Sequence, residues 1–125
     1  MSLDAIGIVS KNTSLSVKFY ALLGVDLQVK GGSEHFEGAT PSGVRIMLDS
    51  VSLIKQIDPT WQEPTGSAIA LGFLQESPRA VDALYAKIVA AGFKGAKAPW
   101  DAFWGQRYST VLDPDGNHID LFAPL

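Results

Sequence analysis

The chain has 125 residues, 46% of them hydrophobic, a formal net charge of −3 and no cysteine. That is enough apolar material for an ordinary core, and the missing thiols exclude cysteine nucleophiles, Cys-based zinc sites and disulfides. An acidic balance without a Lys/Arg run excludes a nucleic-acid surface, the apolar runs are strand length rather than membrane length, and no secretory leader is legible, so a cytoplasmic protein is expected.

The first apolar run, Leu3 to Val9, has the length of a buried strand. Leu15, Phe19, Leu22 and Leu23 then fall on one helical face, with Asn12 or Thr13 as cap and Gly24 just past the end. Strands are expected at roughly 25–30, 34–40 and 43–48. The last of these is fed by Thr40-Pro41-Ser42-Gly43, where Pro presets φ and Gly closes a type I turn. The stretch from Ser50 to Gly66, with Asp58-Pro59-Thr60-Trp61 and Glu63-Pro64-Thr65-Gly66, reads as a connector.

Beyond it the pattern starts again. Ser67 to Phe73 echoes the first strand, and Ser77-Pro78 opens a helix with Val81, Leu84, Tyr85, Ile88 and Val89 as its stripe and Gly92 as its stop. Strands follow at about 93–98, 105–112 and 117–123, the last after Asp113-Pro114-Asp115-Gly116, a copy of the earlier turn. The chain therefore reads as an α+β domain over 1–125, built from two tandem βαβββ modules: module 1 at about 1–50, a connector at about 51–66 and module 2 at about 67–125.

The paired modules, the Phe19-Tyr20-x-x-Leu23-Gly24 helix end and Asp113-Pro114-Asp115-Gly116-Asn117 before a terminal Ile119-Asp120-Leu121 resemble the vicinal oxygen chelate superfamily. That group includes glyoxalase I, extradiol dioxygenases, fosfomycin-modifying enzymes and bleomycin-resistance binding proteins. The resemblance implies cupped, mostly antiparallel half-barrel sheets with helices outside, a ligand cavity between the modules and a homodimer. It also implies that metal-dependent members draw ligands from the first and last strand of each module. By motif those places hold Ala5, Met47, Ala68 and Asp120 here. Alanine has no donor atom and a thioether binds hard divalent ions poorly, so no metal or other cofactor is expected.

The most unusual stretch is Trp100-Asp101-Ala102-Phe103-Trp104-Gly105-Gln106-Arg107-Tyr108, read as a loop and following strand. Its rings could stack on a planar or cationic molecule, and Arg107 could clamp an anion, although alternation puts Arg107 on the face opposite Gln106 and Tyr108. Packing in a core or a dimer interface accounts for such rings equally well. Trp61 could close over the same cavity or plug a gap between modules. On the last strand of each module, Arg45 with Met47, and His118 with Asp120 and Phe122, occupy matching inward places. Asp120 could be neutralised by Arg45 or Arg107 in a structural pair, and His118 beside Asp120 could accept a proton. His35, near Glu37, reads chiefly as part of a solvated strand.

These features give an expectation of a metal-free protein that binds an aromatic or cationic small organic molecule, resembling the bleomycin-resistance branch, with catalysis left open and no nucleic acid or membrane as partner. The alternatives are a metal-dependent lyase or dioxygenase, with Asp120 joined by His118 or His35, and a homodimeric interaction module.

Overall fold

The computed structural model describes residues 1–125 and divides into two compact units, Met1–Pro64 and Thr65–Leu125, parting inside the expected connector. Each carries a four-stranded mixed sheet.

In the first unit β1 (Ala5–Ser10), α1 (Thr13–Leu22), β2 (Gln28–Val29), β3 (His35–Ala39), β4 (Arg45–Ser50) and α2 (Val51–Ile57) follow in order, with sheet order β1-β4-β3-β2. The β1–β4 pairing is parallel and the other two are antiparallel. Asn12 caps α1, its side chain accepting from the Leu15 amide, and Gly24 leaves at φ +80. The buried side of α1 is Ser16, Phe19 and Tyr20: of the expected stripe Phe19 is fully buried, Leu22 and Leu23 are partly buried and Leu15 is exposed. Ser16 turns inward because its hydroxyl meets that of Ser10 on β1 at 2.7 Å, which removes the cost of burying either alone. Ile8, Ile46 and Leu48 complete this core.

Two expectations change here. The connector opens with a helix: Ser50 caps α2 by accepting from the Leu53 amide, so the backbone turns helical directly out of β4. The second strand shrinks to two residues, because Val25 and Leu27 are buried in an irregular approach segment instead of pairing in the sheet.

In the second unit β5 (Ala70–Leu74), α3 (Pro78–Ala90), β6 (Lys94–Ala102), β7 (Gln106–Leu112) and β8 (His118–Pro124) form a sheet of order β5-β8-β7-β6, parallel only between β5 and β8. Ser77 caps α3 with Pro78 in its first turn, as the sequence indicates. Val81 and Ile88 are fully buried, as are Val111, Ile119 and Leu121 on the sheet, whereas Val89 is exposed. The turn before β8 has the expected bond, Gly116 N–H to Asp113 C=O at 3.0 Å, matched before β4 by Gly43 N–H to Thr40 C=O at 2.9 Å. Both glycines have positive φ, which explains glycine at the fourth place of each copy.

The aromatic segment is a hairpin rather than a loop before a strand. β6 runs on to Ala102, with irregularities between Gly95 and Lys97 and between Lys97 and Trp100 that absorb Pro99. Only Phe103, Trp104 and Gly105 remain for the turn.

Candidate functional site

Alternation decides which side chains share a face. On β7 and β8, Ser109, Val111, Ile119, Leu121 and Ala123 are buried on the α3 side, which leaves Gln106, Tyr108, Thr110, His118, Asp120 and Phe122 on the other. Arg107 follows Ser109 and Val111. Its guanidinium pairs with Asp82 of α3 (Nε to Oδ1, 2.8 Å) and with Asp101 of β6 (3.1 Å). These carboxylates hold its pKa above the usual arginine value, the Asp82 hydrogen bond most of all. Arg107 thus fastens a helix to the sheet, on the face opposite Tyr108, and its ion pairs are with Asp82 and Asp101 rather than Asp120.

Asp120 is held by hydroxyls instead. Tyr108 donates to one carboxylate oxygen at 2.7 Å and Thr110 to the other at 2.8 Å, both from β7. Thr110 lies directly opposite Asp120 in the β7–β8 register and Tyr108, opposite Phe122, is its diagonal neighbour, so the strand pairing itself creates this arrangement. Burial, then the Asp120 hydrogen bond, pushes the Tyr108 pKa up to about 12, which keeps the phenol protonated as a donor at neutral pH. Arg45, the other proposed partner, is bound by Glu37 and Asp4 in the first unit. His118 is exposed at the head of β8, and Asp120 spends its two bonded oxygens on Tyr108 and Thr110.

Around this carboxylate the rings form a connected series. Phe122 stacks on Tyr108 at 5.9 Å between centroids, and Trp104 meets Tyr108 edge-on at 5.2 Å. Trp104 also meets Trp100 at 5.5 Å and Phe103 at 4.9 Å, while its indole N–H donates to Gln106 at 2.7 Å. Lys97 lies over the Trp100 ring at 5.0 Å. The patch is open: Trp104 is 49% exposed and Phe103 91%. Six of the residues expected in a site, Trp100, Phe103, Trp104, Tyr108, Asp120 and Phe122, therefore come together. Thr110, Gln106 and Lys97 join them, and only the β7–β8 and β6–β7 registers reveal that they do.

In the first unit Arg45 and Met47 share the face of β4 turned away from Ile46 and Leu48. Arg45 borders a small recess of about 220 Å³ together with Gln28, Val29, Lys30, Glu37, Gly38 and Ala39. Trp61, just past α2, is partly buried, with its amide bonded to the Asp58 carbonyl.

The register also aligns the strand positions that the family resemblance implies for metal ligands. Ala5 pairs with Arg45, and Ala70 pairs with His118, the residue in the matching place after the repeated turn. The second module's counterpart of Ala5 is therefore Ala70, two residues beyond Ala68. Ala5, Met47, Ala70 and Asp120 supply one hard donor group between them, and that group already accepts two hydroxyl bonds. Nowhere in the chain do three or more His, Asp or Glu side chains converge in a manner able to hold a metal ion. The residues present do not fit a divalent ion.

The profile of the Glyoxalase/Bleomycin resistance protein/Dioxygenase superfamily matches residues 2–121. The chain belongs to that superfamily. Among solved structures it is similar to a glyoxalase/bleomycin resistance protein/dioxygenase from Nocardioides, at 25% identity and TM-score 0.80 over 100% of this chain and 84% of that one. A family enzyme from Burkholderia phytofirmans superposes with TM-score 0.88 at 21% identity, covering 100% of both chains. A glyoxalase-related enzyme from Fulvimarina pelagi gives 0.83 at 18%, over 98% of this chain and 87% of the other. No curated protein matches the sequence. The superfamily's two βαβββ modules are those seen here, and no helix is long and apolar enough to cross a membrane.

Proposed function

We propose that this superfamily member binds a small organic molecule, aromatic or cationic, on the ring-bearing face of β6–β8, without a protein-held metal. The observation that carries this reading is Asp120, a half-buried carboxylate bonded to two hydroxyls and to no cation, on the face that carries Trp100, Trp104, Tyr108 and Phe122. A carboxylate withdrawn from water without a counterion leaves a place for positive charge. The ring faces add their own attraction for cations and flat molecules, on the order of 0.5–2 kcal/mol per desolvated contact. Binding of this kind needs no catalytic group, and the donor set around Asp120 favours it over metal-dependent lyase or dioxygenase chemistry.

The test is a thermal-shift screen of planar and cationic organic compounds against the wild-type chain and Trp104→Ala. A compound that raises the melting temperature of the wild type, and much less that of the folded variant, supports the reading. Equal stabilisation of both contradicts it.

The exposure of Phe103 and of Leu74, 91% and 67%, favours a second reading in which the same apolar surface is buried in a homodimer. Light scattering behind a sizing column separates the two: a dimer that Trp104→Ala dissociates, with no compound response in the wild type, supports the second reading.

A further inference from the structure

His35 reads from the sequence as part of a solvated strand. The structure gives it two acidic partners. Its Nε2 lies 2.8 Å from Glu37 on the same strand, and its Nδ1 makes a short contact with Asp49, directly opposite on β4. Ionised carboxylates only accept hydrogen bonds, so satisfying both demands a proton on each ring nitrogen, which is the imidazolium.

The charges continue across the sheet. The other Glu37 oxygen takes Arg45, the far side of that guanidinium takes Asp4 at 2.6 Å, and Lys30 approaches Glu37 at 3.6 Å. On this face β1 contributes Ala5, Gly7 and Val9, none charged, and Glu34 on the preceding loop is exposed. Asp4, Glu37 and Asp49 are thus balanced by Lys30, Arg45 and a protonated His35. A neutral imidazole keeps one N–H and cannot donate to both carboxylates, and the cluster becomes net negative.

The location gives this chemistry a mechanical consequence. β2 is only two residues long, and the turn from Lys30 to Glu34 contains two glycines with positive φ. The turn is closed by the Lys30 amide on the His35 carbonyl at 2.9 Å, and Glu34 is tied to the end of β4 by the Ser50 amide at 3.0 Å. β2 therefore adds little pairing to the hairpin, and the side-chain link at His35 reinforces the β3–β4 ladder at its end nearest the turn.

We infer that His35 is a protonation-controlled clamp, holding the β2–β3 hairpin to β4 while charged and loosening it when neutral. The hydrogen bonds to Glu37 and then Asp49 raise the His35 pKa above 6.5, outweighing burial. The His35 bond likewise leads in lowering that of Glu37 below 4.5. A raised histidine pKa stabilises fully below 6.5, and that stabilisation is lost as pH rises through the folded-state value. The lowered Glu37 pKa stabilises above 4.5, and its part is lost as pH falls through its own folded value. The clamp is closed between these limits. The recess beside Arg45 shares Glu37, Lys30 and Arg45 with the clamp.

The experiment is NMR on the full chain from pH 5 to 10, reading the His35 ring nitrogens and amide-exchange protection corrected for intrinsic rates. The expected result is both ring nitrogens protonated at pH 6, a titration midpoint above 6.5, and a several-fold fall in β2–β3 protection through that midpoint while β7–β8 is unchanged. His35→Gln, which cannot become charged, should make hairpin protection independent of pH over the alkaline range. A midpoint at or below 6.5, or hairpin protection that stays constant as His35 titrates, overturns the inference. Both readouts come from the wild type and do not depend on the variant folding.

Discussion

Tyr108 and Asp120 face each other from neighbouring strands, phenol to carboxylate, at 2.7 Å, and Thr110 holds the second carboxylate oxygen. With no cation at Asp120, these two hydroxyls make a half-buried charge tolerable. Removing one should therefore cost more than an ordinary surface hydrogen bond. Tyr108→Phe is expected to lose about 1.5–3 kcal/mol in a denaturant titration, in the range for hydrogen bonds to charged groups. A loss within about 0.5 kcal/mol would mean that water replaces the phenol at no cost.

The same pair has a pH signature. The Tyr108 pKa is raised to about 12, mainly by burial and then by Asp120. Its contribution to stability is present below about 10 and lost as pH rises toward 12. Ultraviolet titration of the wild type against Tyr108→Phe should show one phenol ionising near pH 12. A difference spectrum centred near pH 10 would contradict the burial and the bond together.

Arg107 offers a control on the opposite face. Asp82→Ala removes two of its contacts, 2.8 and 3.3 Å, and should destabilise the fold only slightly, less at high salt, because both side chains are partly solvated. Any compound response borne by Trp104 should survive this change. Its loss in a stable Asp82→Ala protein would bring Arg107 back as a ligand contact.

Ser109 supplies a stability test independent of the site. Its hydroxyl is fully buried with no hydrogen-bond partner, so Ser109→Ala should raise stability, by about 1 kcal/mol. Thermal denaturation decides it, and a lower melting temperature would point to a bond that the hydroxyl makes.

Much of the fold is legible in the sequence because it repeats. Two Pro-x-Gly turns, two capped helices and their apolar runs suffice for paired βαβββ modules, since turn chemistry and period-two alternation are local properties. Elements fixed by partners distant in sequence are not legible in the same way. α2 follows β4 through a Ser50 cap that resembles any serine before a loop, and the burial of Ser16 depends on Ser10 across a strand–helix contact. At the site, the rings of 100–108 stand out by composition. The roles of Thr110 toward Asp120 and of Asp49 toward His35 follow only from strand register, as does the face taken by Arg107. Alternation narrows that face to two choices, and burial against α3 selects one.

Binding without a metal is the central claim, and calorimetric titration of chelator-treated, tag-free chain with a planar organic cation such as proflavine tests it most directly, repeated with Trp104→Ala and with added Mn²⁺, Zn²⁺ or Ni²⁺. The account predicts saturable heat in the metal-free wild type, unchanged by the divalent ions and largely lost in the variant. Heat that appears only after a divalent ion is added, or that is equal in wild type and variant, would contradict it.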